Sequence, residues 1–130
     1  MPDVKLAVRN DVLGKRRALS TESRKQKSQA IVDSLIELSL FKDAMTIATY
    51  LPLPSEVDLS RLLRLEHRSK SFVAPRTLPN FELSFHRVTP SDTFETGFGG
   101  AQQPTEAADL VSPGEIDLFL VPLAACDRQG

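Results

Sequence analysis

The sequence predicts an α/β layered fold, with a largely parallel sheet flanked by helices. Three observations carry that prediction. Segments with apolar residues every third or fourth position alternate with short runs rich in β-branched and aromatic residues. Most of those runs are continuously apolar, as in strands covered on both faces. Nine prolines and several glycine clusters punctuate the chain.

The elements follow in order. Val4, Val8 and Val12, with Leu6 and Leu13 beside them, predict a helix over residues 3–18, weakened near Gly14. Ser20 is a candidate cap for a second helix, Glu22 suits its positive end, and Ile31, Leu35 and Leu38 mark a core face that ends near Leu40. "AMTIATYL" changes the period to that of a strand, and "PLPSE" ends it because proline cannot donate to a ladder. Asp58 is placed to cap a third helix carrying Leu59, Leu62 and Leu63. "SFVAP" and "ELSFHRV" read as the next strands, residues 91–114 as loop, and residues 118–124 as a strand buried on both faces. The whole of residues 1–130 is expected to form a single domain.

Composition excludes several classes. Sixteen basic and seventeen acidic residues leave a net charge of −1, so no overall field draws the chain to nucleic acid or to an acidic membrane. No apolar run approaches the roughly 20 residues that cross a bilayer. Cys126 is the single cysteine, so no internal disulfide forms and a reducing cytoplasm is the expected location. His67 and His86 lack metal-ligand spacing and are expected at the surface, while Cys126 reads as a buried structural thiol.

Chemistry is expected beyond the carboxyl ends of the strands, where "PSEVD", "PRTLPN" and "CDRQG" fall. Glu56 carries most weight, as a carboxylate two residues past a proline-stiffened exit; the plain reading is a solvated loop glutamate. Lys5 and Arg9, four apart on one helix face, are spaced to grip phosphates, although such pairs are usually a wet helix face. The basic run Lys15 to Arg17 suits a helix C-terminus. "GFGG" lacks the lysine and spacing of a phosphate loop.

Taken together, "KLAVR", "KRRALSTESRKQKSQAIVDSL", "FKDAMTIATYLPLPSEVDLSRLL", "GFGGAQQP" and "IDLFLVPLAACDRQG" resemble the 5-formyltetrahydrofolate cyclo-ligase family, in order, from Lys5 to Gly130. The resemblance implies that Lys5 and Arg9 contact ATP phosphates, that Tyr50 and Leu51 border the folate, and that Glu56 holds it. It implies an ATP-dependent cyclisation of 5-formyltetrahydrofolate to 5,10-methenyltetrahydrofolate, with Mg2+ accompanying the ATP. The expected enzyme is a cytoplasmic monomer that engages neither nucleic acid nor membrane. Gln103 stands where the family carries an acid after the glycine loop, and the loop aromatic is shifted to Phe98. Family members continue past an aspartate and glycine, here Asp127 and Gly130, into a glycine-rich ATP segment. By that pattern the sequence reads as truncated, with impaired turnover expected. Two other readings remain: a non-catalytic relative that keeps only folate binding, and an α/β enzyme of another kind sharing only the fold class.

Overall fold

The computed structural model describes residues 3–129; the expected turn residue Gly130 lies outside them. Helix α1 spans Val4–Ala18, with the Asp3 carboxylate accepting the Leu6 amide at its start. Helix α2 spans Thr21–Glu37 and is capped as expected, the Ser20 hydroxyl accepting the Ser23 amide at 3.1 Å. A short helix α3, Ser39–Asp43, continues past the predicted stop and buries Phe41. Strand β1 is Thr46–Ala48, helix α4 is Ser60–Glu66 and strand β2 is Ser71–Thr77. Asp58 serves the start of α4 from one position further out, accepting the Ser60 amide at 2.9 Å.

Strand β3, Leu83–Val88, follows, and then a stretch that corrects the predicted loop. Residues Phe94–Thr96 and Gln102–Pro104 form β4 and β5, a two-stranded antiparallel ribbon, while Leu110–Val111 forms β6. The short β7 is Leu118–Phe119. The main sheet has the order β6-β3-β2-β1-β7, with β1 parallel to both β2 and β7 and an antiparallel extension through β3 and β6. The α/β class therefore holds, with the parallel ladders at the centre and at the β7 edge.

Pleat alternation splits the core between two faces. Ile47, Phe72, Ala74 and Val88 pack with Val32 of α2, Phe41 of α3 and Leu62 and Leu63 of α4. Ala48, Val73 and Val111 form a smaller cluster with Phe85 and Ile116. Phe41 is also covered by the Lys70 ammonium, 5.0 Å from its ring centre, which donates to the Lys42 and Ala44 carbonyls at the end of α3.

Two expected burials are corrected. The core stripe of α2 is Ser28 and Val32 flanked by Leu35 and Ile36, whereas Ile31 and Leu38 are exposed, because the sheet and α4 meet the helix about one residue out of the predicted phase. The last strand is neither long nor central. It pairs with β1 alone at the sheet edge, and Val121 and Leu123 are 66% and 65% exposed. Proline at 122 offers no amide to continue the ladder.

Candidate functional site

The three strands β2, β1 and β7 run parallel, so the segments leaving β1 and β7 emerge at one end of the sheet. The segment after β1 carries Glu56 in a turn closed twice. The Glu56 amide donates to the Leu53 carbonyl at 3.0 Å, and the Leu53 amide donates to Glu56 Oε1 at 2.7 Å. One carboxylate oxygen is thus committed to the fold, and Glu56 is half-buried rather than fully solvated.

Every residue around Glu56 is tied from outside the turn. Arg24 of α2 donates through Nη1 to the Pro54 carbonyl at 3.4 Å and through Nη2 to the Arg17 carbonyl at 2.6 Å. Arg16 of α1 donates through Nε to Ser55 Oγ at 3.2 Å. The Tyr50 hydroxyl donates to the Val57 carbonyl at 2.8 Å, and the Asp58 amide donates to Ser28 Oγ at 3.0 Å. Sequence reasoning did not single out Arg24 or Ser28, and it read Arg16 only as part of a basic helix end. A signal existed for Arg16: it stands three residues after Leu13, the one buried residue of α1, and so shares its inward face.

Tyr50 and Glu56 line one cavity of about 400 Å³, together with Arg16 and, across from them, Phe119 to Leu123. Burial, followed by the negative charges of Glu56 and Asp58, pushes the Tyr50 phenol up to about 12, with Arg16 opposing. Leu51 is separate: it lines a smaller cavity of about 140 Å³ with Phe94 and Thr89, which Tyr50 also borders. Lys5 and Arg9 are exposed on α1 and line a third cavity, of about 610 Å³, with residues Pro122 to Asp127. Pro122 and Leu123 belong to the walls of both larger cavities.

Other expectations change. Cys126 is exposed, because the segment bearing it lies outside the sheet. His86 is buried at 5% exposure, its Nδ1 2.8 Å from the Ala108 carbonyl and its Nε2 2.8 Å from Ser84 Oγ; His67 is exposed as expected. Gln103 turns inward, its Oε1 accepting the Thr77 amide at 3.2 Å, while Phe98 sits edge-on to Phe81 at 5.3 Å on the surface. Among the described residues no three carboxylate, histidine or cysteine side chains gather closely enough to hold a metal ion between them. Among them, too, no helix is long and apolar enough to cross a membrane.

Comparison with known proteins adds a second line of observation. The model of the 5-formyltetrahydrofolate cyclo-ligase family matches residues 2–130. The solution structure of Aquifex aeolicus 5,10-methenyltetrahydrofolate synthetase is 32% identical over 92% of this chain and 60% of that one, with a TM-score of 0.79. A 5,10-methenyltetrahydrofolate synthetase from Mycoplasma pneumoniae is 26% identical over 93% of this chain and 65% of that one, with a TM-score of 0.67. The chain thus spans 60% and 65% of the lengths of these two solved structures. No curated protein matches it.

Proposed function

Because the chain belongs to the 5-formyltetrahydrofolate cyclo-ligase family, we propose that its two larger cavities are neighbouring sites for 5-formyltetrahydrofolate and for ATP in the cyclisation that yields 5,10-methenyltetrahydrofolate. The observation that carries this reading is their common wall, Pro122 and Leu123, with Glu56 and Tyr50 on one side and Lys5 and Arg9 on the other. Phosphoryl transfer between two small molecules needs such adjacency more than it needs a protein nucleophile.

The folate cavity is mostly apolar, which suits a flat heterocycle, and its volume lies within the roughly 300–1,000 Å³ usual for ligand sites. Glu56 keeps one oxygen for the ligand's N–H groups, the other being held by Leu53. Tyr50 stays a neutral phenol and supplies an edge of the cavity, while Leu51 supports it from behind. Lys5 and Arg9 neutralise phosphate charge from one helix face.

In the proposed reaction the formyl oxygen attacks the γ-phosphorus and ADP leaves. N10 then attacks the formyl carbon and loses its proton, and phosphate departs with the former formyl oxygen. Mg2+ would travel with the ATP phosphates. The chain is proposed to act as a single domain and a monomer in the cytoplasm, without nucleic-acid or membrane partners.

Titration with 5-formyltetrahydrofolate, with and without ATP, tests the reading when followed by the near-ultraviolet absorbance of the methenyl product. Binding with product formation supports it in full. Binding without product supports the folate site alone, and no binding of either ligand overturns it.

A further inference from the structure

We infer that Arg24 is a positioning residue for the Glu56 turn, acting through the Pro54 carbonyl while braced on the last turn of α1. Three observations carry this. Arg24 joins three parts of the chain at once: it stands on α2, donates to Arg17 at the end of α1, and donates to Pro54 two residues before Glu56. Its Nε is buried with no hydrogen-bond partner, a cost accepted where the two terminal nitrogens reach fixed carbonyls. The turn it meets is otherwise short and irregular, and the Arg16 contact to Ser55 comes from the same helix end that Arg24 braces.

The arrangement acts like a strut. Guanidinium geometry fixes the angle between its two donors, so holding Arg17 on one side sets where Pro54 lies on the other. Arg24 itself is outside the three cavities, so its effect on a ligand passes through Glu56. The folate reading enters only as the name of the ligand; the effect on the turn stands apart from it.

The test uses the full chain and its Arg24→Ala and Arg24→Lys variants. Hydrogen exchange is measured at the Leu53 and Glu56 amides, which close the turn, and at Thr49, whose amide is bonded to Val73 beside the parallel strands. In Arg24→Ala the two turn amides are expected to exchange about tenfold faster, with Thr49 unchanged, as for a local opening. Affinity for 5-formyltetrahydrofolate should fall about fivefold with the melting temperature nearly constant, and Arg24→Lys, which keeps one donor direction, should recover part of both effects. Unchanged exchange at Leu53 and Glu56 in either folded variant overturns the inference. If the unmodified chain fails to bind 5-formyltetrahydrofolate, the ligand reading falls, while the exchange pattern still decides the role of Arg24.

Discussion

Glu56 and Leu53 hold each other twice, amide to carbonyl at 3.0 Å and carboxylate to amide at 2.7 Å. The same carboxylate therefore builds the turn and faces the cavity. Glu56→Gln keeps an acceptor for the Leu53 amide but removes the charge. It is expected to weaken 5-formyltetrahydrofolate binding at least about tenfold with little change in stability, whereas Glu56→Ala should lose binding and also about 1 kcal/mol of stability. Calorimetric titration beside denaturant unfolding separates the two; equal binding by Glu56→Gln and the unmodified chain would remove Glu56 from the site.

Tyr50 is the sole tyrosine and the chain has no tryptophan, so its phenol can be followed alone. The folded state holds the proton up to about 12, against about 10 when unfolded. Between those values the native state binds more protons, so the stabilisation is complete below pH 10 and is lost as pH rises through 12. Absorbance of the phenolate in folded protein should show a midpoint near 12. An ordinary midpoint near 10 would show that the burial of Tyr50 beside Glu56 and Asp58 does not hold in solution.

Asp117 sits before β7 and accepts the amides of Met45 and Thr46, each at 3.0 Å, which holds its carboxyl below the usual carboxylate range. Its contribution is present above the unfolded pKa and is lost as pH falls through the lower folded value. Acid unfolding of the unmodified chain should begin at a lower pH than that of Asp117→Ala. The variant should also show faster exchange at the Leu120 amide, which donates to Ala48. Coincident acid transitions would refute the link.

Gly97 leaves space for Gln103. A methyl group there would clash with Gln103 Oε1, although the backbone at φ −106° suits any residue. Gly97→Ala should therefore displace the glutamine from the Thr77 amide and cost about 1 kcal/mol. In a Gln103→Ala background the same change should cost much less, a non-additivity that unfolding of the four proteins measures. Strict additivity would mean that the methyl group and the glutamine do not compete.

Lys5 and Arg9 supply the positive charge of the larger cavity. Lys5→Ala and Arg9→Ala should each weaken ATP binding about three- to tenfold at low salt, with the difference shrinking as salt rises because both side chains are exposed. Titration at two ionic strengths checks this, and an effect on folate affinity alone would assign them elsewhere.

The sequence disclosed what depends on neighbours along the chain. Ser20 as a cap, the extent of α1 and the strands β1, β2 and β3 all follow from local chemistry and periodicity. What depended on distant partners stayed hidden. The inward phase of α2 is set by its packing, so Ser28 rather than Ile31 faces the core, and its partner Asp58 lies thirty residues away. The β4–β5 ribbon is made of residues such as Gln102, Gln103 and Pro104, whose propensities do not announce a strand. In the candidate site, the setting of Glu56 was legible because a proline-rich exit from a strand is a local signal, whereas Tyr50 entered only through the family resemblance. The arginines that fix their setting lay in basic runs that read equally well as solvated helix.

The wall formed by Pro122 and Leu123 has a thermodynamic meaning. A residue that two ligands touch from opposite sides cannot move for one without altering the surface offered to the other. Any such movement is a coupling free energy, and it is reciprocal: the factor by which a nucleotide changes folate affinity is the factor by which folate changes nucleotide affinity. On the proposed assignment of the two cavities, the exposed, proline-bearing segment that leaves β7 is where occupancy of one would be converted into affinity at the other.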